Sequence, residues 1–108
     1  MDEFELIRRF FAAAACAQTA PGVVQGIGDD CALLALPAYE QLAVSTDTLV
    51  AGVHFPEGAD AFLLAQRGLA AAASDLAAMG ATPVGFTLAL TLPAADVVWL
   101  ESFSRGLD

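Results

Sequence analysis

No lysine occurs in this 108-residue sequence, and its four basic residues, Arg8, Arg9, Arg67 and Arg105, stand against 13 acidic ones for a formal net charge of −9. So acidic a chain has no electrostatic footprint for bare nucleic acid or for an anionic membrane surface. Without lysine a Walker-type phosphate loop is excluded, and a phosphorylated ligand is expected to need recruited cations. Long apolar runs are missing as well. The longest near the N-terminus, residues 10–17, is far short of the ~20 residues a membrane helix requires. The pair Arg8-Arg9 before Phe10-Phe11 is no export signal, because Asp2, Glu3 and Glu5 make the preceding segment acidic. Only two cysteines, Cys16 and Cys31, and one histidine, His54, are present. Their positions give no C-x-x-C or zinc spacing, which suits a reducing, cytoplasmic compartment. What the chain does have is apolar bulk. At 57% hydrophobic it is not disordered, although alanine supplies much of that share and makes the core thin.

Periodicity and capping signals predict six elements. Asp2 caps a helix running to about Gln18, with Glu5 at its third position, and Pro21-Gly22 breaks it. A glycine-punctuated acidic loop, residues 26–30, leads into a short strand over residues 31–36 and a turn over 37–40. A β-branched second strand covers 42–50. After a loop holding His54, Asp60 caps an alanine-rich helix to Met79 that stops at Gly80. A third strand spans 84–92, closed by Pro93, and Asp96 caps a last helix over 97–105. The order α-β-β-α-β-α predicts an α+β fold, a small β-sheet covered by helices. Three strands leave an open edge, to be covered by a fourth strand, a second subunit or another domain.

The carboxylates carry the chemical signal. Most lie at helix starts or in polar turns, but Asp29, Asp30, Asp47 and Asp75 do not. Asp47 interrupts an otherwise apolar strand, and alternation puts Ser45 and Asp47 on one face with Thr46 and Thr48 on the other. Asp75 sits among alanines, with Ala71 and Met79 four residues to either side. Carboxylates in such apolar surroundings are costly unless they accept backbone hydrogen bonds or meet a counter-charge. Four arginines are too few to neutralise them, which favours bound cations. Oxygen donors without clustered His or Cys select a hard ion, magnesium rather than zinc. Ser45 and Ser74 have no histidine at a supporting spacing, so a hydrolase triad lacks support. Gly26-x-Gly28 precedes a strand, not a helix, and is no dinucleotide fingerprint.

Five segments then occur in order: Gly26-Ile-Gly-Asp-Asp-Cys-Ala32, Ser45-Thr-Asp-Thr-Leu-Val50, Gly52-Val-His-Phe-Pro56, Ser74-Asp-Leu-Ala-Ala-Met-Gly-Ala81 and Phe86-Thr-Leu-Ala-Leu-Thr-Leu-Pro93. Together the chain resembles the N-terminal part of the thiamine-monophosphate kinase family, within the superfamily of aminoimidazole ribonucleotide synthetase, selenophosphate synthetase and a hydrogenase-maturation protein. The resemblance implies ATP-dependent phosphorylation of thiamine phosphate to thiamine diphosphate, with magnesium ions bridging the phosphates. Carried over by position, Asp30, Ser45, Thr46, Asp47 and Asp75 are the implied metal-binding residues and His54 the substrate contact. Thr46, turned away from Asp47 by alternation, is expected to use its backbone carbonyl. No general base is expected, since a phosphate-monoester acceptor is already ionised. Residues 1–108 are expected to form one N-terminal ATP/Mg-binding domain of the aminoimidazole ribonucleotide synthetase type. That domain is expected to be truncated before its last strand, to lack the C-terminal domain, to be inactive alone and to form a homodimer. Two departures accompany the resemblance: residues 70–73 are alanine where the family carries an asparagine, and no Gly-Gly-Asp-Thr motif is present. The alternatives are a related ATP-dependent synthetase of the superfamily and a non-catalytic dimerisation or metal-binding module.

Overall fold

A computed structural model of the chain describes residues 1–18 and 20–108. Helix α1 (Glu3–Leu6) starts where the sequence places it: the Glu5 N–H donates to Asp2 Oδ1 at 2.8 Å. The helix then widens into a π-helical segment, Ile7–Ala12, and a 3-10 turn, Ala15–Ala17, follows. The unbroken α-helix expected to about Gln18 is therefore corrected. Adjacent Phe10 and Phe11 are both buried, and a wider turn presents two consecutive side chains to one partner. Gln18 closes the segment by donating from Nε2 to the Ala14 carbonyl at 3.0 Å.

Helix α2 (Ala61–Ala78) and helix α3 (Val97–Leu107) begin at Asp60 and Asp96 as expected, both carboxylates accepting first-turn N–H groups. Met79 caps α2, and Gly80, at φ 70°, turns the chain away. The two helices form the core with the N-terminal segment. Leu100 is fully buried among Phe10, Phe11, Ala61, Ala65, Phe103 and Leu107. Phe103 stacks on Trp99 at 4.7 Å between ring centroids and meets Phe11 edge-on at 6.4 Å. Gly106 sets the helix separation. A methyl group added there would meet the Phe62 carbonyl oxygen and lie 2.8 Å from Ala65 Cβ.

The sheet departs from expectation. Among the described residues it has two antiparallel strands, β1 (Val23–Gln25) and β2 (Leu33–Leu34), with Val23 opposite Leu34, Gln25 opposite Leu33 and an irregularity between. The expected first strand contracts to β2, and β1 went unread because three residues carry no period. Residues 42–50 and 84–92, expected as strands, join no ladder. Nor do helices cover the sheet, since Leu33 and Leu34 remain 49% and 45% exposed. A β-branched segment becomes a strand only where a partner supplies the ladder. The fold is α+β, with its packing concentrated in the helices.

The accessible surface of 8084 Å² is large for this size, for which a folded monomer exposes about 5,700 Å². The radius of gyration is 14.7 Å, against about 13 Å for a compact chain of this length. Much of the excess is apolar, with Val44, Leu49, Val50, Phe86 and Leu88 all exposed.

Gly106→Ala is expected to lower stability by roughly 1–3 kcal/mol, because the clash outweighs the gain in helix propensity. Leu100→Ala should cost about 2–5 kcal/mol. Gly85→Ala, whose new methyl would find only Val23 Cγ2 at 3.7 Å, should stay within about 0.5 kcal/mol. Urea-unfolding midpoints of the three variants check the ranking.

Candidate functional site

Asp30 lies in the loop between β1 and β2. Gly28, at φ 136°, makes the backbone turn that L residues resist. The Asp30 N–H then donates to Asp29 Oδ1 at 2.8 Å, a local turn that leaves the Asp30 carboxylate exposed. Ser45, Thr46 and Asp47 follow in the segment without a ladder, and all three are exposed. Asp75 is on α2 and is exposed as well. The expectation that Asp47 and Asp75 sit in apolar surroundings is thus corrected. With residues 42–50 unpaired there is no sheet interior for Asp47 to enter, and the alanine-rich flank of Asp75 faces solvent. Among the described residues no three His, Cys, Asp or Glu side chains come together as a metal-holding group. Carboxylate, hydroxyl and carbonyl oxygens nonetheless remain the donor chemistry of a hard divalent ion.

His54 is held far more firmly. The Gly52 N–H donates to the Phe55 carbonyl at 2.7 Å, and the His54 N–H donates to the Val50 carbonyl at 2.9 Å, closing a tight turn. The Val50 N–H donates in return to His54 Nδ1 at 2.9 Å. An Nδ1 that accepts carries no proton, so Nε2 carries the N–H and points its donor capacity elsewhere.

That turn docks on α2 through Gly68, where an added methyl group would come within 3.0 Å of Leu49 Cδ1. Between turn and helix lies a cavity of about 260 Å³. The turn contributes Leu49, His54 and Phe55 to it, and α2 contributes Leu64, Arg67, Gly68 and Ala71. The helical residues follow i, i+3, i+4, i+7 spacing, one face of the helix. Arg67 was overlooked in the sequence because a lone arginine reads as solvated surface. Its signal is its spacing: four residues before Ala71 and eight before Asp75.

A second recess lies between the N-terminal segment and α3, walled by Arg9, Phe10, Glu101, Arg105 and Asp108. The Arg9 guanidinium carbon stands 5.0 Å from the Phe10 ring centroid. Nearby, the Cys16 N–H donates to Asp108 Oδ1 at 3.0 Å. That bond holds the Asp108 carboxyl below the usual carboxylate range. Partial desolvation first, then the Asp108 carboxylate as a side-chain hydrogen-bond partner and as a negative charge, push the Cys16 thiol up. Both cysteines are free and exposed.

Comparison with known proteins agrees with the sequence resemblance. The family described as AIR synthase related protein, N-terminal domain, matches residues 28–108. A protein of Escherichia coli (strain K12) named thiamine-monophosphate kinase is 55% identical over 105 residues, covering 97% of this chain and 32% of that protein. One of the same name from Haemophilus influenzae is 45% identical over 107 residues, covering 99% and 32%. Another, from Methanocaldococcus jannaschii, is 33% identical over 88 residues, covering 80% and 28%. The chain thus spans about a third of the length of these curated relatives.

In a Cys31→Ser background, the pH midpoint for alkylation of Cys16 should lie above that of an ordinary thiol. Asp108→Ala should move it down, because removing the carboxylate removes both an acceptor and a negative charge that oppose the thiolate. The rate of iodoacetamide labelling against pH measures this, and an unmoved midpoint contradicts it.

Proposed function

This chain belongs to the AIR synthase related protein family, through its N-terminal domain, and from that premise we propose that it serves ATP-dependent phosphorylation of thiamine phosphate to thiamine diphosphate. The observation that supports this reading is the identity to proteins named thiamine-monophosphate kinase along nearly the whole chain. Residues 1–108 act as the N-terminal ATP- and magnesium-binding domain, of the aminoimidazole ribonucleotide synthetase type. The relatives are about three times as long, and further nucleotide and thiamine contacts are assigned, as part of this proposal, to the length that this chain does not span.

The chemistry demands little of a base. A phosphate monoester has a second pKa of ~6 and is largely ionised at neutral pH. The obstacle is bringing one polyanion up to another, so catalysis rests on positioning and charge neutralisation. Asp30, Ser45, Asp47 and Asp75, with the Thr46 carbonyl, are the oxygen donors that would hold magnesium, which when bound cancels phosphate charge. His54, with Nδ1 occupied by Val50, offers Nε2–H to an anionic oxygen of the substrate. Its tight turn fixes that donor before the ligand arrives, which lowers the ordering cost of binding.

Homodimerisation is part of the same proposal. The chain's surface of 8084 Å² is about 2,400 Å² more than a compact monomer's, so two copies carry about 4,800 Å² of excess between them, within the range that permanent subunit interfaces bury. Cysteine usage without paired spacing fits a cytoplasmic setting. A related synthetase of the superfamily is the second reading, supported by the breadth of the matching family description.

In the intact protein Asp47→Asn or Asp75→Asn should lower turnover of thiamine phosphate by at least about 100-fold and raise the magnesium concentration needed for ATP binding. Steady-state kinetics with magnesium titration provides the test. Near-normal turnover by both variants would refute the donor assignment.

A further inference from the structure

We propose that Arg67 is the side chain that pairs with the phosphate group of a phosphate-monoester ligand held beside His54 in the cavity between α2 and the residue 50–55 turn. The inference deepens the phosphoryl-transfer reading and rests on it only for the statement that the substrate carries a phosphate. Its first support is the composition of the cavity wall. In a chain with 13 acidic and four basic residues, this cavity is lined by an arginine and a histidine and by no carboxylate. Both polar side chains are nitrogen donors: Arg67 has no acceptor, and His54 has its acceptor nitrogen already engaged by Val50. A wall whose polar side chains are both donors is suited to an anion.

The second support is the setting. Leu49, Phe55 and Leu64 form the rest of the wall with Gly68 and Ala71, and Arg67 and His54 are both solvent-exposed, so an entering anion can reach both donors. A guanidinium presents two parallel N–H groups that match two phosphate oxygens, with fixed direction as well as charge. The volume of about 260 Å³ takes a phosphate with part of its attached group, whereas a whole drug-sized ligand needs about 300–1,000 Å³. Asp75 lies eight residues farther along α2, about 12 Å on and about 80° around the helix axis. The arginine and the proposed magnesium donor therefore face neighbouring ground, with the phosphate of the acceptor at the arginine end.

The test uses the intact protein, its Arg67→Gln and Arg67→Lys variants, and four probes: inorganic phosphate, thiamine phosphate, thiamine and ATP. His54 ring resonances, assigned with a His54→Gln variant, report occupancy of the cavity by NMR, and circular dichroism verifies that each variant is folded. Inorganic phosphate and thiamine phosphate should perturb His54 in the wild type and bind about 10- to 100-fold more weakly to Arg67→Gln, the loss expected for a charged hydrogen bond. Arg67→Lys, which keeps the charge but not the paired geometry, should recover part of that loss. Thiamine and ATP should bind all three proteins alike. Equal phosphate affinity in wild type and folded Arg67→Gln overturns the proposal, and a loss confined to ATP overturns it in favour of a nucleotide contact. Phosphate binding that depends on Arg67 in a protein that does not turn over thiamine phosphate would sink the kinase reading and leave this one standing.

Discussion

The packing of this domain depends on how closely α3 can approach α2 at Gly106. With no side chain there, the Phe62 carbonyl and Ala65 come up against the α3 backbone, and Leu100, Phe103 and Leu107 are drawn into the space beside them. An alanine-rich helix offers little apolar area per residue, so it contributes to a core only when its partner comes very near. The same logic operates near the middle of α2. Gly68 lets Leu49 settle on the helix, and with Leu49 comes the tight turn that carries His54. Two glycines thus decide which parts of the chain are fastened to α2, one for the core and one for the candidate site.

What was legible in the sequence was local. Asp2, Asp60 and Asp96 each accept N–H groups within three residues, and Gly80 ends α2 with its own backbone angle. Such signals are complete within a single turn of chain. Residues 42–50 and 84–92 have the β-branched and alternating pattern of strands, but a ladder requires a partner elsewhere, and no local pattern says whether it is present. The α-helix running to Gln18 failed for a related reason. Whether Phe10 and Phe11 share one face is decided by α3, more than eighty residues away, through contacts such as Phe11 on Phe103.

The candidate site divides along the same line. Its segments were recognisable as motifs, and His54 proved to be in a defined turn with a fixed tautomer. The carboxylates were inferred from burial that the structure does not provide for Asp47 or Asp75. The surroundings of Asp47 depend on the pairing of residues 42–50, and so on the same missing ladder, while Asp75 stands on an exposed stretch of α2. Arg67 escaped notice because its meaning lies in its neighbours across the cavity. Leu49, His54 and Phe55 lie on the turn that precedes α2, beyond the reach of helical spacing, and only the fold shows that no carboxylate accompanies them.

A net charge of −9 appears at first to argue against any unassisted approach of a phosphate. Magnitudes decide the matter locally. Nine charges spread at about 15 Å, a distance comparable to the radius of gyration, repel a unit anion by only about 0.4 kcal/mol at physiological ionic strength, because a Debye length of ~8 Å screens them. One guanidinium 4 Å from the same anion attracts it by about 4 kcal/mol at an effective dielectric of ~20. The nearest charge therefore outweighs the sum of the distant ones by roughly tenfold. What the surplus of acid does control is the second anion. Once one phosphate is held, another brought into contact with it meets repulsion at close range, where screening is weakest and the arginine is already engaged. Cations held by carboxylates would answer that second problem, so under the proposed function an arginine-lined cavity and a set of exposed oxygen donors would have separate tasks in joining two phosphates.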